Sequence, residues 1–297
     1  MKGNTAIVIA GPTATGKTDI AHQLALKYNG EIICADSRTI YRYMDIATSK
    51  PEKIYREQIP YHIIDIVNPD EKFSVADFVE KAEKSLEEIF NKGKIPFIVG
   101  GCGLYIKRLI DGIFPSPPSS KEIREFLKKK ENLWDRLKEI DKEAAERINP
   151  NDKKRLIRAL EVFYLTKKPI SVLQKEKTEP SKIKFTSLCI DCDRKVLYER
   201  IDERVDKMIE KGLIDETKML LSLGYSSELT SMSGIGYREI IHYLKGEINL
   251  DEAIFLIKRR SRQFAKRQMT WFRNDKRYIF IKKEEIKKEV AIISSFS

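Results

Sequence analysis

The sequence has few of the residues from which disulfide frameworks and zinc sites are built. It contains four cysteines and three histidines in 297 residues, and four cysteines in so long a chain do not make a disulfide scaffold. Cys189 and Cys192 form one C-x-x-C pair, but a zinc site needs two further ligands at similar spacing. We therefore do not favour a metal or redox role for this pair. The histidines are predicted to be structural: His22, His62 and His242.

A long apolar run is also missing. No stretch approaches the roughly 18 consecutive apolar residues of a membrane-spanning helix, and residues 1–4 lead directly into a short apolar segment rather than a signal peptide. With 41% apolar and 34% charged residues, the composition is typical of a folded chain. We expect about two domains and a cytoplasmic, monomeric protein with no membrane partner.

Excess positive charge is absent from the first 115 residues, which hold 15 basic and 15 acidic side chains. The net charge of +11 therefore lies beyond them, and residues 253–282 alone contain ten basic side chains against one acid, Asp275. Such clustering attracts polyanions. A nucleic acid or a membrane surface is thus the partner that charge alone indicates, with a solvated basic helix as the alternative.

Apolar strand-like segments alternate with helical patterns in the first third of the chain, which is typical of a parallel sheet covered by helices. Strands are predicted over residues 5–10, 31–35, 62–67, 95–99, 184–191 and 277–281. Helices are predicted over residues 17–28, 73–91, 196–211, 214–223, 237–244 and 250–273. The expected fold class is α/β, a doubly wound parallel sheet with an inserted helical domain and a helical C-terminal part.

Prolines mark the point where the chain leaves the sheet, because Pro115, Pro117 and Pro118 cannot continue a helix or a central strand. A charged helical segment follows, in which Asn151 or Asp152 is a candidate N-cap. We predict three segments: an α/β core over residues 1–115, an inserted helical domain over 116–182, and a return to the core over 183–297 that carries the basic segment.

Residues 11–18, GPTATGKT, match the phosphate-loop pattern G-x-x-x-x-G-K-[ST] between a predicted strand and a predicted helix. Backbone N–H groups of such a loop converge on phosphate oxygens at a helix N-terminus, as in P-loop NTPases. Lys17 supplies a positive charge, and Thr18 is predicted to coordinate Mg²⁺. The predicted diphosphate- or nucleotide-binding residues are Gly11, Pro12, Thr13, Ala14, Thr15, Gly16, Lys17 and Thr18.

The acid that positions Mg²⁺ and water in motor NTPases has no distinct counterpart. Asp65 and Asp191 are ordinary strand ends, and the apolar segment PFIVGG ends in glycine. This disfavours a hydrolase. A transferase that holds diphosphate as a leaving group needs the same loop without a hydrolytic water. A small-molecule P-loop kinase and an RNA-binding protein that uses the loop as a nucleotide switch are the alternatives.

The phosphate loop and seven later blocks, in order over residues 11–273, resemble the sequence pattern of the tRNA dimethylallyltransferase family. They are GPTATGKT, DSRTIY, MDIATSKP, HIID, VGGCGLY, NPNDKKRLIRALEV, GIGYRE and AKRQMTWFR. The resemblance implies transfer of the dimethylallyl group of dimethylallyl diphosphate to N6 of adenosine 37, just 3′ of the anticodon, in tRNAs reading codons that begin with U. The product would be N6-(dimethylallyl)adenosine.

An exocyclic adenine amine is a poor nucleophile, so a base that takes its proton assists the reaction. Asp36, at the end of the second predicted strand, is the candidate base, and a helix N-cap is its alternative role. The family pattern implies that Arg204 joins Lys17 and Thr18 in stabilising the diphosphate. Arg200, one turn away, is interpreted as a solvated helix residue.

The target base must leave its stack to reach a buried site. The resemblance implies tRNA contacts from all three segments: Asp36, Ser37, Arg38, Thr39, Cys102, Arg124, Lys154, Arg155, Arg158, Gly236, Tyr237, Arg238, Lys266, Arg267, Gln268, Trp271 and Arg273. The basic helix carries Phe264, Trp271 and Phe272, which suit base stacking and equally suit a core.

Three residues depart from the family pattern. Cys102 replaces a threonine and offers a weaker donor, Thr39 replaces a glutamine and cannot make a bidentate contact to adenine, and Ala47 replaces a glycine. Because Asp36, Lys17 and Thr18 are intact, we predict retained activity with altered affinity or base recognition.

Overall fold

The structure, a computed structural model, describes residues 4–286, and it divides into two compact units. The smaller unit is Asp111–Ser181, and the larger comprises Met1–Ile110 and Lys182–Ser297. The predicted insertion, residues 116–182, overlaps the smaller unit. The outer ends of the other predicted segments, residues 1–3 and 287–297, lie outside the described residues.

A parallel sheet forms the centre of the larger unit. Its strands are β1 (Thr5–Ala10), β2 (Gly30–Cys34), β3 (Tyr61–His62), β4 (Ile95–Gly100), β5 (Lys184–Asp191) and β6 (Tyr278–Lys282). Within the described residues the spatial order is β3-β2-β4-β1-β5-β6, and each pairing is parallel. The central strands are apolar and buried, as parallel strands with two covered faces require. The predicted α/β fold class is confirmed.

The helices of the described chain follow in sequence order. They are α1 (Lys17–Lys27), α2 (Lys53–Gln58), α3 (Val75–Asn91), α4 (Gly103–Asp111), α5 (Lys121–Lys128), α6 (Leu133–Ile140), α7 (Lys142–Arg147), α8 (Lys153–Thr166), α9 (Ile170–Lys177), α10 (Arg194–Glu210), α11 (Leu213–Ser222), α12 (Tyr237–Leu244) and α13 (Leu250–Arg273). The bounds of α12 and α13 equal the predicted ones, because amphipathic periodicity and a cap such as Asn249 define them locally.

One predicted strand, residues 62–67, is wrong beyond its first residue. β3 ends at His62, and Ile63 and Asp65 adopt positive φ values of 60° and 53°, which no strand accommodates. The turn directs the Asp65 carboxylate to Lys50 and Arg56, each at 2.5 Å. The apolar run therefore supplies a partly buried turn with two ion pairs rather than a longer edge strand.

The smaller unit is a set of short helices around its own core. Leu127, Leu137 and Leu160 are fully buried there. Asp152 caps α8, since its carboxylate accepts from the Arg155 N–H at 3.1 Å, and this selects Asp152 over Asn151 as the cap. The smaller unit thus contains its own capped helices and its own apolar core.

Candidate functional site

A cavity of about 580 Å³ lies in the larger unit, beyond the carboxyl ends of β1, β2 and β4. Ligands of open α/β sheets bind at this edge. The walls come from the phosphate loop, from the segments that follow β2 and β4, and from α10, α12 and α13. Residues distant in sequence are therefore brought to one chamber.

The phosphate loop, residues 11–18, joins β1 to α1 as predicted. Gly16 is the N-cap of α1 with φ of 76°, a left-handed conformation that glycine adopts without a Cβ clash. The Thr15 hydroxyl donates to the carbonyl of Pro12 at 2.9 Å, and the Lys17 ammonium donates to the same carbonyl at 3.2 Å. Lys17 is thus held against the loop, next to the N-terminus of a helix, where anions bind favourably.

Three charged side chains, Lys17, Asp36 and Arg204, line this cavity together. Burial lowers the pKa of Lys17 to about 8, with Asp36 opposing the shift and Arg204 adding to it. Burial also lowers the pKa of Arg204, and Asp36 again opposes. Two desolvated cations beside a phosphate loop form a site whose affinity for a multivalent anion exceeds that of exposed charges. Arg200 differs, since it is not part of the lining and its nearest recorded partner is the Cys192 sulfur at 3.9 Å.

Asp36 lies just beyond β2, and one of its oxygens accepts from the backbone N–H of Arg38 at 2.8 Å. This hydrogen bond closes a turn, and the next helix, α2, begins only at Lys53. The alternative role of Asp36 as a helix N-cap is therefore wrong. The carboxylate is instead fixed at the cavity wall, where it faces the ligand space.

Gln268, predicted as a tRNA contact, is only 7% exposed. Its Oε1 accepts from the backbone N–H of Thr13 at 3.0 Å, and its Nε2 donates to the carbonyl of Gly101 at 2.9 Å. The carboxamide therefore joins α13 to the phosphate loop and to the turn after β4. Both ends of the carboxamide are thus engaged within the protein, while Gln268 also lines the cavity. Its predicted contact with tRNA stays a prediction.

The three departures from the family pattern all line the cavity. Among the described residues, the buried Thr39 hydroxyl has no hydrogen-bond partner. Burial raises the pKa of the Cys102 thiol to about 11, so this group is a neutral donor near pH 7. The methyl group of Ala47 lies where a Cβ on Gly236 would come within 2.9 Å of it, so Gly236 makes room for Ala47.

Comparison with known proteins assigns the family. The model of the IPP transferase family matches residues 39–275. The chain is 48% identical to the tRNA dimethylallyltransferase of Acetivibrio thermocellus, over 97% of this chain and 95% of that protein. It is 45% identical to that of Thermotoga neapolitana, over 98% of each. The chain belongs to the IPP transferase family.

Solved structures agree with this assignment. The tRNA isopentenylpyrophosphate transferase of Staphylococcus epidermidis matches with a TM-score of 0.73 and 36% identity, over 99% of this chain and 100% of that one. A eukaryotic dimethylallyltransferase acting on tRNA matches with a TM-score of 0.79 and 31% identity, over 90% of this chain and 69% of that one. The protein is accordingly a transferase, as predicted.

Part of the positive charge of the basic helix α13 is paired with carboxylates of the protein itself. Lys258 and Arg262 pair with Asp206 and Asp202 on α10 at 2.7 and 2.6 Å, and Arg260 pairs with buried Glu239 on α12. The predicted contacts that remain on the exposed surface are Lys266, Arg267, Trp271 and Arg273. Trp271 is 41% exposed, whereas Phe272 is fully buried, so of these two rings only Trp271 is accessible for stacking.

The G-Y-R block forms the start of α12. Tyr237 is only 1% exposed, and its hydroxyl donates to Glu216 at 2.5 Å. Tyr237 therefore supports the wall of the cavity that it lines, and its predicted contact with tRNA stays a prediction. Arg238 is partly exposed beside Glu239. Arg38 is also engaged, because its guanidinium donates to the carbonyls of Thr230 and Ser231 at 2.8 and 3.2 Å.

The predicted tRNA contacts of the smaller unit lie on α5 and α8. Arg124 and Arg158 both donate to the buried carboxylate of Glu161, at 2.8 and 2.5 Å. Lys154 and Arg155 are exposed. The first two are thus anchored by a shared counter-charge, and the other two are accessible to a polyanion.

Carboxylates that organise the family blocks are the residues that the sequence reasoning missed. Glu161 and Glu239 are buried and Glu216 is partly buried. Glu161 and Glu239 stand within two of the blocks, but the sequence assigned them no role, and Glu216 lies outside the blocks. Their position in the sequence was the available signal, since each lies within or next to an apolar helical stripe where a charge needs partners.

The three histidines, which were predicted to be structural, have partners within the protein: His22 contacts Tyr61 and Gln58, His62 contacts Glu31, and His242 contacts Glu247.

Proposed function

We propose that this protein transfers the dimethylallyl group of dimethylallyl diphosphate to N6 of adenosine 37 in tRNAs that read codons beginning with U. The products are N6-(dimethylallyl)adenosine and diphosphate. The observation that carries the proposal is the shared cavity, in which an anion site built on Lys17 and Arg204 adjoins the carboxylate of Asp36. The names of the relatives, which are transferases of this group to tRNA, support it.

The diphosphate end of the donor binds at the phosphate loop. Negative charge grows on the leaving oxygen as the allylic C–O bond breaks, and its electron pair stays with the diphosphate. Lys17 exchanges the Pro12 carbonyl for a phosphate oxygen, and Arg204, which lines the same cavity, stabilises the same charge. Fixed cations in a desolvated site stabilise such developing charge strongly.

Mg²⁺ fits the residues present. Thr18 lines the cavity at the first turn of α1, and within residues 4–286 no group of three or more acidic, histidine or cysteine side chains is placed to hold a metal. One hydroxyl together with the phosphate oxygens of the substrate suits Mg²⁺, which binds through few protein ligands plus substrate phosphates. Thr18 would hold the ion, which supplies further charge neutralisation at the diphosphate.

Asp36 takes the proton of the adenine amine while the N6 lone pair forms the new C–N bond. The backbone N–H of Arg38 orients the carboxylate by holding one oxygen. Cys102 is unsuited to this role, because burial raises its pKa to about 11 and the thiol keeps its proton. Apolar side chains of the lining, Val205, Met208 and Ile257, provide a dry surface for the prenyl tail.

Transfer RNA binds along the exposed cations of α13 and α8, through phosphate contacts that release counterions. No helix among residues 4–286 is long and apolar enough to cross a membrane. The cytoplasmic location and the monomeric state stay predictions.

The test is incubation of the protein with Mg²⁺, dimethylallyl diphosphate and an anticodon stem-loop that carries adenosines at positions 36 and 37. A mass gain of one C5H8 unit on the RNA, localised to adenosine 37 by nuclease digestion, supports the proposal. Label passing from the γ-phosphate of ATP to a small molecule would instead identify a kinase. RNA binding that depends on nucleotide, without covalent change, would identify a non-catalytic paralogue.

A further inference from the structure

Gln268 makes two long-range hydrogen bonds that neither the anion site nor the base site explains. The side chain lies on α13 and is 7% exposed. Its partners are the Thr13 N–H and the Gly101 carbonyl. They belong to the two backbone segments that follow β1 and β4 and line the cavity. One carboxamide therefore sets the distance between these segments and the basic helix.

The fit around this carboxamide is tight. A Cβ on Gly101 would lie 2.2 Å from the Gln268 Nε2 atom, so only glycine admits the side chain at this point. Because the Thr13 N–H donates to Gln268, it is not free to bind an anion. The anion would therefore be bound by N–H groups later in the loop. An amide has the donor and acceptor that this bridge needs, whereas carboxylates and hydrocarbons lack one or both.

We propose that Gln268 is a positioning residue of the diphosphate site: it holds the phosphate loop and the turn at residues 100–101 to α13 at the spacing that admits the diphosphate. The proposal rests on the proposed function for the identity of the anion. It assigns Gln268 no direct contact with RNA, although its neighbours Lys266 and Arg267 are exposed. Adjacent residues of one helix thus differ in exposure, because successive side chains of a helix point in different directions.

The first experiment separates the two substrates. Gln268→Met keeps the length and packing of the side chain and removes both hydrogen bonds. We expect the affinity for inorganic diphosphate, measured by calorimetry with Mg²⁺, to fall about tenfold. The Kd for tRNA should stay within about twofold of wild type, because the proposal gives Gln268 no phosphate contact with RNA. Gln263→Met, an exposed glutamine on the same helix, is the matched control and should alter neither.

The second experiment perturbs the same bridge from its other end. Gly101→Ala displaces the Gln268 amide without changing it, and Gln268→Ala opens space for the new methyl group. Each single variant should weaken diphosphate binding, and the double variant should bind about as well as Gln268→Ala alone, because contacting residues are non-additive. Circular dichroism and melting curves identify the variants that are folded. This cycle also keeps the idea testable if Gln268→Met is poorly folded.

Two results would overturn the inference. One is a Gln268→Met variant whose diphosphate affinity equals that of the Gln263→Met control. The other is loss of tRNA affinity with unchanged diphosphate affinity, which would make Gln268 an RNA contact. Failure of the proposed function has a different signature, since it is the absence of prenylated RNA with the wild-type protein, whatever its affinity for diphosphate.

Discussion

The hydroxyl of Tyr237 donates a 2.5 Å hydrogen bond to Glu216, and the Glu216 carboxylate also accepts from the backbone N–H groups of Asp45 and Ile46 at 3.0 and 2.9 Å. Helices α11 and α12 and the MDIATSKP segment are joined at this one carboxylate. The segment in turn supplies Ala47 and its neighbours to the cavity wall. A buried tyrosine of the cavity lining thus also fixes a second segment of the cavity wall.

Tyr237→Phe should therefore loosen the segment and leave the chemistry intact. Loss of one hydrogen bond at a partly buried carboxylate is expected to lower the free energy of unfolding by about 1–2 kcal/mol. The KM for tRNA should rise while kcat stays within about twofold. Urea unfolding and steady-state kinetics measure both effects. Tyr243→Phe, on the same helix, is the control, and equal behaviour of the two variants would contradict the assignment.

Asp36→Asn tests the base. The amide oxygen can still accept from the Arg38 N–H, so the turn should persist, while proton abstraction is lost. We expect the rate of single-turnover transfer to fall about 10²- to 10⁴-fold. Affinity for donor and tRNA should be nearly unchanged. Asp70→Asn, which changes an exposed carboxylate outside the cavity lining, should behave as wild type. A rate for Asp36→Asn within about threefold of wild type would remove Asp36 from the reaction.

The buried Lys17 predicts a basic limb in donor binding. Its pKa of about 8 is below the ordinary value because the charged form is desolvated, and an anion binds best when Lys17 is protonated. Affinity for diphosphate should therefore be greatest below about pH 8. Above that pH it should fall, and the fall should approach about tenfold for each further pH unit. Lys17→Met should bind weakly and lack this limb. Calorimetry between about pH 7 and 9, with the Met variant correcting for titration of the ligand, checks the prediction.

Glu31 predicts acid sensitivity of the fold at the end of the sheet away from the cavity. Burial raises the pKa of this carboxyl, but hydrogen bonds from Lys94, His62 and Lys92 outweigh it and lower the pKa to about 2. A depressed acid contributes stability above its unfolded pKa, and this is lost as pH falls from about 4.5 to 2.

At neutral pH, the ionised Glu31 carboxylate is expected to contribute about 3 kcal/mol to the free energy of unfolding. Urea unfolding of wild type and Glu31→Gln should therefore differ at pH 7 and converge near pH 2. Glu80→Gln, on the exposed face of α3, is the control and should track wild type throughout. A constant gap between wild type and Glu31→Gln at all pH values would show that packing, not ionisation, causes the loss.

Much of this protein is readable from the chain alone. The phosphate loop, its strand and its helix are contiguous, so the local pattern determines them, and Asp36 follows directly from the end of β2. The same holds for α12 and α13, whose apolar periodicity and capping residues are local. The order of the family blocks then predicted the reaction class, because those blocks are dense in uncommon residue combinations.

Tertiary structure decided what each polar side chain does. From the sequence, Gln268 and Tyr237 belong to the RNA-binding blocks, yet the fold directs Gln268 to a backbone N–H 255 positions away and Tyr237 to Glu216. It also decides that Lys258, Arg260 and Arg262 neutralise carboxylates while Lys266 and Arg267 face solvent. Composition counts all of these charges alike. Sequence patterns report local propensity, whereas a buried polar group must find a partner wherever the fold brings one.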